Sequence, residues 1–172
     1  MTIKNEKTHL KESDKTQFVE DRRENEDIFR DTWIRYMGYA NEVGEAFRGI
    51  ISKRAVGLSY IVASGYVVAD ASSKAINTYE ENKSVQEATI AGADCFLWQA
   101  LASVAIPGFT INRLCAGSKF VLHKSRLSSG KVKWITTALG LAAIPFIIKP
   151  IDVSVDFILD KTARKLYFKE KE

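Results

Sequence analysis

The chain has 172 residues, 46% of them hydrophobic and 27% charged, with a formal net charge of +4. That length suits one folding unit with a sizeable core of its own, and so modest a basic excess, with no aromatic-interleaved basic motif, excludes a nucleic-acid-binding class. The two cysteines, Cys95 and Cys115, sit in apolar surroundings at a spacing that fits neither a metal site nor a secreted disulfide framework, and read as small buried hydrophobes.

The first thirty residues carry seven bases, among them Lys4 and Arg22, against eight acids such as Glu6 and Asp14. Lacking both an apolar h-region and an arginine-rich, acid-poor character, this start fits neither a secretory signal nor a mitochondrial transit peptide, so membrane delivery is expected to use internal signals. Residues 1–27 read as a charged, disordered tail. Residues 28–168 read as a helical domain.

From 31 to 48 the string DTWIRYMGYANEVGEAFR sets Trp33, Met37, Ala40, Gly44 and Phe47 at helical spacing, with Arg35, Glu42, Glu45 and Arg48 mostly elsewhere. This predicts an amphipathic helix capped by Asp31, suited to a membrane surface or to packing on neighbouring helices. An uncharged run follows, AVGLSYIVASGYVVA at 55–69, bounded by Arg54 and Asp70 and extendable to a crossing over about 55–71. Gly65 and Ala69 form a small-xxx-small pair of the kind used for close helix contact. Residues 74–87 turn polar and read as a loop, in which Ser84 and Glu87 make a capping-box pattern for the next helix.

The central stretch is the most apolar long run, with no charge from Cys95 to Asn112. A helix over 88–107 has nearly the length of a hydrocarbon core of about 30 Å. Pro107 lacks an amide proton and Gly108 follows it, so the helix is expected to end or bend there. Arg113 is placed to snorkel toward headgroups. Within the helix Asp94 is the lone ionisable residue, and Gln99 and Ser103 form a polar strip. Intramembrane polar groups of this kind are costly, which makes Asp94, Gln99 and Ser103 candidates for a transport path.

From Asn112 to Lys133 there are bases but no acids. Lys119, Lys124 and Arg126 in this interval are candidates for contact with anionic lipid such as cardiolipin, and the positive-inside rule places the basic segments on one side. A third uncharged run, 134–148, is bracketed by Lys133, Trp134 and Lys149, with a kink expected at Pro145. A closing amphipathic helix is predicted over 150–168, with Asp152, Asp156, Asp160 and Arg164 on one ridge. One-turn spacing of aspartates without other oxygen ligands makes a poor cation cage, so neither metal nor cofactor is expected.

These elements make an all-α protein, either a multi-spanning membrane bundle with flanking amphipathic helices or a soluble helical domain, such as a lipid-binding one, with the same runs as its core. Periodicity does not separate the two.

Three blocks resemble the mitochondrial fission process protein family: the 31–48 string, WQALASVAIPGFTINRLCA at 98–116 and KPIDVSVDFILDKTARKLY at 149–167. The resemblance implies a small multi-spanning protein of the mitochondrial inner membrane, active in mitochondrial division and in keeping that membrane coupled, and linked to apoptosis and to the adenine nucleotide carrier. It implies no catalytic residue. The motif positions it marks as interaction candidates are Asp31, Trp33, Arg35, Tyr36, Asn41, Glu42 and Glu45, then Trp98, Gln99, Pro107, Asn112 and Arg113, then Pro150, Asp152, Asp156 and Arg164. No phosphate loop, nucleophile elbow or paired metal ligands are present in the sequence, so a non-enzymatic scaffold or regulator is expected, with a small solute or proton leak pathway as the alternative.

Overall fold

Two polar punctuation marks divide most of the chain into long helices. A computed structural model describes residue 29, residues 33–125 and residues 127–168, without the side chains of Arg35, Leu166, Tyr167 and Phe168. The chain divides into two units, 1–35 and 36–172, and the helical architecture below belongs to the second. The tail 1–27 and Asp31 lie outside the described residues.

Sequence periodicity predicts one amphipathic helix over 31–48, but the stretch is split. Trp33–Tyr39 winds as a 3-10 helix and α1, an α-helix, covers only Ala40–Phe47. The aromatic, glycine-containing string at 33–39 has weak α-propensity, and the i, i+3 eclipse of a 3-10 turn sets the Tyr36 and Tyr39 rings 6.4 Å apart. Ser52 then caps α2, Lys53–Asn82, accepting from the Ala55 N–H. This helix runs straight through the 74–82 segment expected as a loop. No glycine or proline interrupts that segment, and the turn is confined to Lys83, in the left-handed region at φ 52°, and Ser84. Ser84 accepts the Glu87 N–H at 3.3 Å and opens α3, Val85–Leu122, as the capping pattern predicts.

The helix α3 does not stop at Pro107. Residues Ala100–Ala105 form a π-helical turn, after which Pro107 falls in the first turn of a fresh α-helical stretch, Ile106–Leu122. An amide is not needed there, so the proline is absorbed rather than breaking the rod. The run 134–148 and the segment after Pro150, expected as separate helices, are likewise one: α4, Ser129–Lys161, carries Pro145 and Pro150 inside it, both rings turned outward. The short α5, Ala163–Phe168, follows.

Helices α2 and α3 form an antiparallel hairpin, and α4 packs on both halves of α3. Ala102 of α3 and Ile151, Val155 and Leu159 of α4 make an apolar core, with Trp98 and Leu101 against it. At the other end α1 is wedged among α2, α3 and α4. Gly38 faces the Tyr66 ring and Gly44 faces Ser59, so α1 runs antiparallel to the first half of α2.

Polarity is inverted relative to a soluble bundle. Asn41, Glu42 and Glu45 of α1 are 0–2% exposed, whereas Val43 beside them is 40% exposed. Ile61, Phe109 and Phe146 stand outward at 65–78% exposure. The three long helices, of 30, 38 and 37 residues when the last is counted to Lys165, have only 11–33% of their most apolar stretch buried inside the bundle. Among the described residues nothing covers apolar surface on this scale. The core reading of these runs therefore fails, and the all-α bundle has three helices long and apolar enough to cross a membrane.

The small-residue pair read from sequence does not make such contacts: Gly65 and Ala69 both face outward. Close approach is instead at Gly108, where an added Cβ would lie 2.6 Å from Tyr60 Oη and 2.9 Å from Asn41 Nδ2, and at Gly140, where it would lie 3.0 Å from Ala46 Cβ. Gly108→Val is expected to destabilise the bundle by about 1–3 kcal/mol through overpacking. Gly65→Ala, with nothing within 4 Å, should be neutral or stabilising by about 0.5–1 kcal/mol. Thermal unfolding of the detergent-solubilised chain checks the contrast.

Candidate functional site: three polar clusters

The first cluster is built on α1. Placing Glu45 one turn before Arg48 lets the guanidinium fork return to its carboxylate, with Nε at 2.6 Å and Nη2 at 2.5 Å. Tyr60 of α2 donates to Oε1 at 2.9 Å and Asn112 of α3 to Oε2 at 2.8 Å. Arg113 in turn donates to Asn112 Oδ1 at 2.6 and 3.2 Å and lies over the Phe109 ring. Burial would raise the Glu45 carboxyl, but donors from Arg48, Asn112 and Tyr60 and the Arg48 charge outweigh it, so its pKa is lowered. Asn41 spends its amide on the Val104 carbonyl in the π-helical turn, at 3.0 Å.

Glu42 behaves oppositely. Neither carboxyl oxygen has a hydrogen-bond partner, and burial pushes its pKa up to about 8, its own backbone hydrogen bond opposing the rise only in part. It therefore stays neutral at pH 7.

The second cluster joins α2 to α3. Asp70, fully buried, accepts from Gln99 Nε2 at 2.5 Å and from the Cys95 thiol at 3.6 Å, and Ser103 donates to Gln99 Oε1 at 2.6 Å. The third joins α3 to α5 and to the end of α4. Arg164 holds Asp94 through three hydrogen bonds of 3.0–3.2 Å, Asp156 at 3.0 Å and Asp160 at 2.8 Å.

The predicted residues are thus redistributed. Asp94, Gln99 and Ser103 do not form one path: Asp94 belongs to the Arg164 clamp, and the other two to Asp70. The ridge of Asp156, Asp160 and Arg164 does converge, with Asp152 on the same helix. Asn41, Glu42, Glu45, Gln99 and Pro107 are buried in the bundle, and Trp98 packs on the apolar core. Trp33 and Tyr36 are exposed, and the Arg35 side chain lies outside the described ones. Lys119 is exposed, Lys124 stacks on the Phe120 ring at 4.9 Å, and Arg126 lies outside the described residues. Cys95 and Cys115 are not joined in a disulfide and are half-buried, each a thiol donor, Cys115 to the Thr136 carbonyl at 3.7 Å. Two participants escaped the sequence reading. Asp70 reads from sequence as the edge of an apolar run, although it shares a helical face with the buried Ala63 and Val67; Tyr60 carries no signal there.

Charged residues gathered inside, linking helices that are apolar outside, define a membrane-type helical bundle in which polar groups hold the helices together. The family model described as Mitochondrial 18 KDa protein matches residues 27–93 and 73–159. Mitochondrial fission process protein 1 of Homo sapiens is 57% identical over 147 residues, covering 82% of this chain and 88% of the relative. The Danio rerio protein of that name is 55% identical over 153 residues, covering 85% and 92%, and the Caenorhabditis elegans one 52% over 147, covering 82% and 89%. The chain belongs to the Mitochondrial 18 KDa protein family. No solved structure matches it.

Two predictions follow from the clusters. A carboxyl with a raised pKa keeps its proton in the folded state after the unfolded chain has lost it, so between 4.5 and about 8 Glu42 makes stability fall as pH rises. Glu45, lowered, contributes stability that is lost as pH falls through its folded value. Glu42→Gln should therefore raise the melting temperature near pH 8, with the gain shrinking toward about pH 5; parallel pH profiles for parent and variant would count against a buried neutral Glu42. Asp94→Asn, at a site 24% exposed, should cost about 1–3 kcal/mol. Asp160→Asn, at a site 61% exposed, should cost no more than about 1 kcal/mol, and denaturant melts of the two variants separate these outcomes.

Proposed function

We propose that the chain is a non-enzymatic, multi-pass protein of the mitochondrial inner membrane that promotes or regulates mitochondrial fission and supports inner-membrane integrity and coupling, acting as an adaptor. The observation that carries this reading is identity of 52–57% over more than four-fifths of the chain to proteins named for the fission process. Apolar surface outside and polar groups spent on inter-helix bonds support it, because such a molecule has lipid-facing sides for meeting other membrane proteins and no open constellation of reacting groups. The expected crossings at 55–71, 88–107 and 134–148 lie within α2, α3 and α4.

Partners in this reading are membrane lipids, cardiolipin among them, and other inner-membrane proteins such as the adenine nucleotide carrier. Contacts with proteins would use outward side chains such as Tyr36 and Val43. Anionic lipid would meet the acid-free interval containing Lys119, Lys124 and Arg126.

In mitochondria the full chain should remain in the membrane pellet after carbonate extraction, and its depletion should lengthen the mitochondrial network. Photo-crosslinkers at Tyr36 and Val43 should capture inner-membrane proteins, whereas one at Glu45 should link only within the chain. Release by carbonate, or a network unchanged by depletion, defeats the reading.

A further inference from the structure

At the end of the bundle where α1 finishes, a cleft of about 210 Å³ opens between α1, α3 and α4. Its buried lining includes Glu45 and Thr137, at 2% and 3% exposure, and its exposed lining includes Arg48, Lys119 and Lys133. The acid among these, Glu45, is already taken up by Arg48, Tyr60 and Asn112. Neither lysine has a carboxylate partner among the described residues, so the cleft carries an uncompensated positive charge. The Thr137 hydroxyl is buried and has no hydrogen-bond partner.

Two features point to lipid as the source of the missing anion. The volume is below the ~300–1,000 Å³ usual for a whole small-molecule ligand, but it suits a headgroup phosphate. Each lysine is followed by an outward aromatic, Phe120 at 66% and Trp134 at 63% exposure, close to the ends of α3 and α4. Lysine beside an exposed aromatic ring at a helix end is the pattern of the membrane–water boundary.

We propose that this cleft binds the phosphate of an anionic phospholipid, held by Lys119, Lys133 and the outer face of Arg48 with Thr137 as the deeper donor, while the acyl chains lie along Phe120 and Trp134. The site rests on the membrane-spanning reading above, and narrows its broad basic interval to one place. Lys124, stacked on Phe120, and Lys131 do not line it.

The test uses the full chain, first incorporated into phosphatidylcholine nanodiscs, which reads membrane insertion alone, and then solubilised in mild detergent and titrated with fluorescent phosphatidylglycerol. Lys119→Gln combined with Lys133→Gln should weaken phosphatidylglycerol binding about tenfold or more. The charge-matched control, Lys53→Gln with Arg54→Gln, both exposed at the start of α2 and outside the basic interval, should leave it within about twofold. Thr137→Val should weaken binding with the melting temperature kept, separating loss of the donor from loss of fold. Equal losses in both double variants would show diffuse surface charge and overturn the site. Inorganic phosphate displacing the lipid would overturn the lipid source. Failure to enter neutral nanodiscs would instead strike the membrane reading on which the site depends.

Discussion

A carboxylate that belongs in water is held in the middle of three helices, and the bundle is arranged to make that tolerable. Glu45 receives donors from its own helix, from Tyr60 on α2 and from Asn112 on α3. A buried charge is bearable only when its lone pairs are met and a counter-charge is close. Both conditions are satisfied here by side chains from separate elements, so α1 cannot leave its slot without stranding the charge. That coupling makes a helix of eight residues, too short to be stable alone, a fixed part of the structure.

The other two clusters also join helices through polar side chains. Asp70 with Gln99 ties α2 to α3, and Arg164 of α5 ties Asp94 in the first half of α3 to Asp156 and Asp160 at the end of α4. In lipid, apolar faces gain little by meeting one another, since acyl chains solvate them equally well, and packing plus polar contacts must hold the helices together. The close approach at Gly108 serves the same end. It lets α3 come near Tyr60 and Asn41, and the adjoining π-helical turn presents the Val104 carbonyl to Asn41. Proline, glycine and the widened turn thus form one adaptation, which lets a long helix pass a polar wedge without breaking.

Glu42 meets burial differently. With both oxygens unpartnered, it avoids the cost of a bare buried charge by keeping its proton. Two acids three positions apart on α1 therefore hold opposite charge states, decided by what faces each one. Neither their spacing nor their type distinguishes them.

The helical class, the three apolar runs, the Ser84 cap and the convergence of Asp156 and Asp160 with Arg164 were all legible in the chain, because each follows from local periodicity, capping chemistry or one-turn spacing. The direction each helix face turns was not. Amphipathicity marks two sides of a helix without saying which solvent lies beyond them, and here the polar side of α1 faces inward because the exterior is apolar. The continuity of α3 past Pro107 and of α4 past Pro150 was also hidden, since a proline's local penalty can be absorbed by a π-helical turn or by packing from neighbours. Sequence by itself determined that the chain is helical, where its long apolar runs lie and which family it resembles. Only the tertiary structure decided which charges meet, because Asp70 with Gln99, Asp94 with Arg164 and Glu45 with Asn112 are separated by 29, 70 and 67 positions and depend on how the rods are laid side by side.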